Sequence, residues 1–117
     1  MPADGFLVIG YAAVDNVDVI TTNSMQNGPD NVVLYWDYTG GAEAVIDAYG
    51  YESFDPDEFF VGEGTPDIGI AYGSWHTSVG RYPDGADTND NATDFGPAWF
   101  PTPGAPNLPF AADSVTR

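Results

Sequence analysis

An all-β fold is predicted for this 117-residue chain, and three observations predict it. Fourteen Gly and ten Pro interrupt the helical backbone too often for long helices. The apolar runs are short and rich in β-branched and aromatic residues, as strands require. Turn signals recur roughly every 8 to 12 residues, the spacing of a β-sandwich or barrel. The length fits one domain, and an apolar content of 43% is enough to fill a core of that size.

In chain order, Gly5-Phe6-Leu7-Val8-Ile9-Gly10-Tyr11 is a continuous apolar run without helical periodicity, expected to be a strand buried on both faces. After a turn at Asp15-Asn16, residues 17–21 predict a shorter strand. Gln26-Asn27-Gly28-Pro29-Asp30 is a strong chain breaker. Val32-Val33-Leu34-Tyr35-Trp36 is the clearest strand, and Ala44 to Tyr49 follows it at hairpin distance. A short helix over 42–48 competes with that hairpin and would stop at Gly50. Residues 50–76 predict a long loop with a short strand at 67–72, and long loops inside compact domains are often functional. Ser78 to Tyr82 is a further strand, ended by Pro83-Asp84-Gly85. The tail from Pro97 is too rich in proline for a central strand. It is expected to run extended over the surface, with Trp99 and Phe100 as apolar anchors. The domain boundaries expected are therefore a sandwich over 1–96 and an extended tail over 97–117.

Charge narrows the function classes. Eighteen acids face two arginines and no lysine, for a formal charge of −16. That field repels phosphate and anionic lipid, which argues against nucleic-acid and membrane-surface partners. It favours a cation, a salty medium or a basic partner, or serves only to keep a surface hydrated. With no cysteine, disulfides and thiolate metal sites are excluded. The first residues lack the basic and apolar regions of a signal peptide, and the run at 6–11 is too short to span a bilayer.

Four strings in order resemble the bacterial branch of the lamin tail domain family, an immunoglobulin-like β-sandwich. They are Gly5 to Gly10; Gln26 to Asp30 leading into Val32-Val33-Leu34-Tyr35; Ile46-Asp47-Ala48-Tyr49-Gly50; and the section from Ser78 to Asn107, including Pro101-Thr102-Pro103-Gly104-Ala105-Pro106-Asn107. The family's members open with further strands ahead of the segment that starts here at Gly5. The resemblance therefore implies an incomplete sandwich, completed by another chain or by other copies in a larger assembly. It also implies a secreted or cell-surface setting with the targeting segment absent from this chain. The role implied is a non-catalytic structural or protein-interaction module, not an enzyme. The alternative is a calcium- or carbohydrate-binding accessory domain of an extracellular enzyme.

The densest polar constellation is Asp84, Asp87, Asn89, Asp90, Asn91 and Asp94. Calcium takes six to eight oxygens on a flexible loop, so Asp84, Asp87, Asn89, Asn91 and Asp94 are candidate ligands. An EF-hand is not supported, because Ala92 stands where glycine is expected and no Glu closes the loop. A solvated turn is the plainer reading. Asn91-Ala92-Thr93 is also a glycosylation sequon. Asp55, Asp57, Glu58 and Glu63 form a second acidic group, which reads as an exposed loop rather than an acid–base pair. His76, the one histidine, cannot build a zinc site and is expected at a loop end beside Trp75. Arg81 is expected to pin a carboxylate of the Asp84–Asp94 turn. The aromatic residues Tyr11, Tyr35, Trp36, Tyr49, Tyr51, Tyr72, Trp75 and Trp99 read chiefly as core, and secondarily as a binding surface.

Overall fold

The computed structural model describes residues 5–38, 42–68, 78–98 and 100–108. Within them the chain is mostly strand and turn, with one four-residue helical turn. The elements are β1 (Ile9–Gly10), β2 (Val19–Ile20), β3 (Asp30–Tyr38), β4 (Ala42–Tyr51), β5 (Ser78–Arg81), α1 (Asn91–Asp94) and β6 (Phe95–Ala98). They pair as three two-stranded sheets: β1 with β2 in parallel, β3 with β4 and β5 with β6 antiparallel. The all-β class is thus observed.

The β3–β4 ribbon dominates the fold. Its β-branched and aromatic run favours the pleated backbone, and the competing helix over 42–48 does not form. The register aligns Val32 with Tyr49, Leu34 with Asp47 and Trp36 with Ala44, so these six share one face. A bulge follows Leu34: Tyr35 opposes Val45, which leaves Ile46 as the extra residue of β4.

The base of the ribbon is enclosed. Tyr51 and Ala48 are buried, and the Tyr51 hydroxyl donates to the Gln26 carbonyl at 2.7 Å. Tyr49 lies against Phe95 with ring centroids 4.1 Å apart. On the other face Gly50 has no room for a side chain, because a Cβ would collide with the Phe60 ring. The loop after β4 is fastened by Asn31, whose Nδ2 donates to the Phe59 carbonyl and whose Oδ1 accepts from the Val61 N–H. Asp67 then bridges to the end of β4: its N–H donates to Gly50 O, and its carbonyl accepts from the Glu52 N–H. Residues 69–72 of the expected strand, and Tyr72, Trp75, His76 and Trp99, lie outside the described residues.

Three expectations change. The Gly5–Tyr11 run is not buried on both faces: only Ile9–Gly10 is strand, and Ile9 is 61% exposed. Among the described residues its one ladder partner is β2, which is too short to cover it. Pro97 sits inside β6, opposite Val79, and the boundary expected after residue 96 falls within that strand. Among the described residues β6 pairs with β5 alone, so Pro97 stands in an edge strand, where proline is tolerated. Phe100 is 68% exposed rather than an anchor. The segment is held instead by polar contacts, from Asn16 Nδ2 to Pro103 O and from Asn107 Nδ2 to Arg81 O.

Candidate interaction surface

The described residues hold two features with chemical character: a polar node that fixes the ribbon base, and the ribbon beyond it. In the node, Asn91 is fully buried at the start of α1. Its Oδ1 accepts from the Gly50 N–H at 2.9 Å and the Glu63 N–H at 3.0 Å, while its Nδ2 donates to Ala48 O at 2.9 Å. One side-chain amide thereby satisfies three main-chain groups from β4 and the following loop. A glycan cannot occupy a nitrogen so enclosed, which removes the sequon reading for the folded chain.

Arg81 is the second half of the node. Its guanidinium contacts Asp47, Asp94 at 3.4 Å, Asp87 at 3.5 Å and Glu63 at 3.8 Å, and donates to Ala86 O. It also stacks 4.7 Å from the centre of the Phe95 ring, a cation–π contact. The expected pairing with the Asp84–Asp94 turn is found, in Asp87 and Asp94. Asp47 and Glu63 complete the set, and sequence spacing gives no sign of either. Four carboxylates around one cation leave a local excess of negative charge. Burial first, and then Asp87 and Asp47, push the Glu63 carboxyl above its usual range, with Arg81 opposing them. Glu63 Oε2 is buried without a hydrogen-bond partner. Burial would also raise Asp94, but hydrogen bonds from Thr88 and the Arg81 charge outweigh it and hold Asp94 low. Asp90 is held low by the Thr93 hydroxyl and the Thr65 N–H.

The five candidate calcium ligands do not converge. Asn91 and Asp94 are buried on internal partners. Asp87 turns to Arg81 and the Asn89 N–H, and Asp84 accepts from the Asn107 N–H. Asn89 adopts φ 59°, a left-handed conformation that asparagine tolerates well. Among the described residues no group of three or more His, Cys, Asp and Glu is placed to hold a metal. The guanidinium stands where a cation would be drawn. The second acidic group also divides: Glu58 accepts the Asp55 N–H at 2.7 Å, while Glu63 joins the node.

Beyond the node the ribbon emerges uncovered on both faces. Leu34 is 58% exposed, Tyr35 55%, Trp36 59%, Val45 65% and Ile46 55%. Alternation along a strand sends neighbours to opposite faces, so an ordinary surface ribbon would hide one set. Here neither is hidden. A shallow groove at the junction is lined by Val32, Leu34, Asp47, Ala48, Tyr49 and Phe95. Its volume of about 120 Å³ is well below the roughly 300–1,000 Å³ of small-molecule sites.

Sequence had placed Tyr35 and Trp36 chiefly in the core. The structure leaves both more than half exposed. No helix among the described residues is long and apolar enough to cross a membrane. Comparison of the chain with protein-family models, curated proteins and solved structures finds no match.

Proposed function

We propose that this chain is a non-catalytic structural or protein-interaction module of a secreted or cell-surface assembly, and that the outer half of the β3–β4 ribbon is its contact surface. One observation carries the reading: five large apolar side chains on two adjacent strands stay more than half exposed while the ribbon base is pinned by Asn91 and Arg81. Rigid presentation of apolar surface lowers the entropy lost on docking. The extracellular setting rests on the resemblance to lamin tail domains alone. An immunoglobulin-like sandwich is the architecture we infer for the completed unit, with strands from a partner covering what this chain leaves open.

The test is binding of an apolar fluorescent dye to the free chain and to a Leu34→Ser/Trp36→Ser variant. Far-ultraviolet circular dichroism serves to show that the ribbon is retained. Loss of most dye binding in the variant supports the assignment; undiminished binding refutes it.

A further inference from the structure

We propose that Asn27 is a self-modifying site: in the folded chain its side-chain amide is attacked by the Gly28 nitrogen and becomes an isoaspartyl linkage, which loosens the base of the β3–β4 ribbon. The chemistry starts from the Asn27-Gly28 pair in the turn ahead of β3. Hydroxide removes the Gly28 amide proton, and the nitrogen bonds to Asn27 Cγ. A five-membered succinimide ring closes as the Cγ–Nδ2 bond breaks, and the departing nitrogen takes a proton from water and leaves as ammonia. Water then opens the ring at one of its two carbonyls. Cleavage at the main-chain carbonyl routes the backbone through Cβ and Cγ, giving isoaspartate, and cleavage at Cγ gives aspartate. The reaction needs only water and hydroxide.

The structure selects this asparagine among seven. The others precede Val17, Ser24, Val32, Asp90, Ala92 and Leu108, each with a side chain beside the nitrogen that would attack. Glycine carries none and rotates freely. Asn27 is exposed. Among the described residues neither its side chain nor the Gly28 N–H makes a hydrogen bond, so nothing has to break before the ring closes. Asn16, Asn31, Asn91 and Asn107, by contrast, hold their amides in bonds to the main chain. The fold also demands the glycine that makes Asn27 labile. Gly28 takes φ 115°, and a Cβ there would lie 2.5 Å from Glu52 Cγ.

The modified residue sits where the ribbon base is tied. The Gln26 carbonyl accepts the Tyr51 hydroxyl at 2.7 Å, and Gln26 Nε2 donates to Pro29 O at 3.3 Å across residue 27. Isoaspartate lengthens the main chain between Gln26 and Pro29 by one carbon. It also adds a carboxylate next to the glycine that Glu52 packs on, in a chain already at −16.

The test is incubation of the purified chain at mildly alkaline pH, in buffer and in urea, with peptide mass mapping and chromatographic separation of isomeric peptides. Residue 27 should convert ahead of every other asparagine. In buffer its rate should fall within about tenfold of that in urea, because opening an unbonded turn costs little free energy. Asn27→Gln, which would have to close a six-membered ring, should stay unmodified. The isoaspartyl chain, isolated by ion exchange, should melt below the fresh chain and below fresh Asn27→Asp, which has the charge without the extra carbon. An intact Asn27 while Asn23 converts, or conversion in buffer slowed by more than about tenfold relative to urea, would overturn the site. An isoaspartyl chain that melts with the fresh one would overturn the loosening of the base.

Discussion

Replacing Asn91 by alanine withdraws the one side chain that ties α1 to β4 and to the loop at Glu63. Three main-chain groups lose their partner together: Gly50 N–H, Glu63 N–H and Ala48 O. A buried polar group left unsatisfied costs about 1–3 kcal/mol. Allowing water to reach the part-exposed Glu63 amide, the loss should be about 3–5 kcal/mol. A domain of this length has roughly 6–18 kcal/mol of stability in total, so the variant should be visibly weakened and still measurable. Urea denaturation followed by tyrosine and tryptophan fluorescence is the assay, with the slope against denaturant checked for constancy. Asn91→Asp is the informative companion. It keeps the shape and both acceptor contacts but sets a carboxylate oxygen against Ala48 O. It should therefore be destabilised at pH 7 and recover partly below about pH 4, where the acid can donate. A loss under about 1 kcal/mol for Asn91→Ala would refute the claim that this amide holds the ribbon base.

Other outcomes follow from the same node. Arg81→Met leaves Asp47, Glu63, Asp87 and Asp94 facing one another. It should cost about 3–5 kcal/mol at pH 7, with a smaller loss in acid, read from thermal melts across pH. Glu63→Gln acts in the opposite direction. The folded chain raises the Glu63 carboxyl, so ionisation costs stability as pH rises through its folded value. The variant should melt higher than the parent at pH 7 and equally below about pH 4, where Glu63 is protonated in both states. Asp90 and Asp94 are held low, so their contribution is present above the usual carboxylate range and lost as pH falls. Asn91 should remain unglycosylated in a glycosylating host, as intact mass will show. Millimolar calcium should leave the melting temperature unchanged, since a native-state ligand would raise it.

The strands with the strongest local signal were legible in the sequence. Residues 32–36 and 44–49 carry β-branched and aromatic side chains on both sides of the Gly40-Gly41 pair in the sequence, and both are strands. Pro97 misled because proline is excluded from paired interiors, and only a strand order reveals that β6 is an edge. The Arg81 node was half legible. A lone cation among carboxylates must find partners, and the turn at 84–94 was the nearest supply. Asp47 and Glu63 reach it from positions 34 and 18 residues away in sequence, a proximity created by β4 and its loop. Asn91 was misplaced for a similar reason. In sequence it is a polar residue in an Asx-rich turn, and its burial depends on Gly62 offering no side chain against its amide. The exposure of Trp36 was not readable, because periodicity says which residues share a face and nothing about whether a layer covers it.

Hydrogen exchange read by mass spectrometry on the free chain at low concentration confronts the ribbon's two halves with each other. Amides of the base, at 32 and 49–51, should exchange slowly, as groups held by the β3–β4 ladder and by Asn91. Amides at 34–36 and 44–46 should exchange orders of magnitude faster. Uniform protection along both strands would mean that the apolar tip is already covered, and the contact surface described above would not exist.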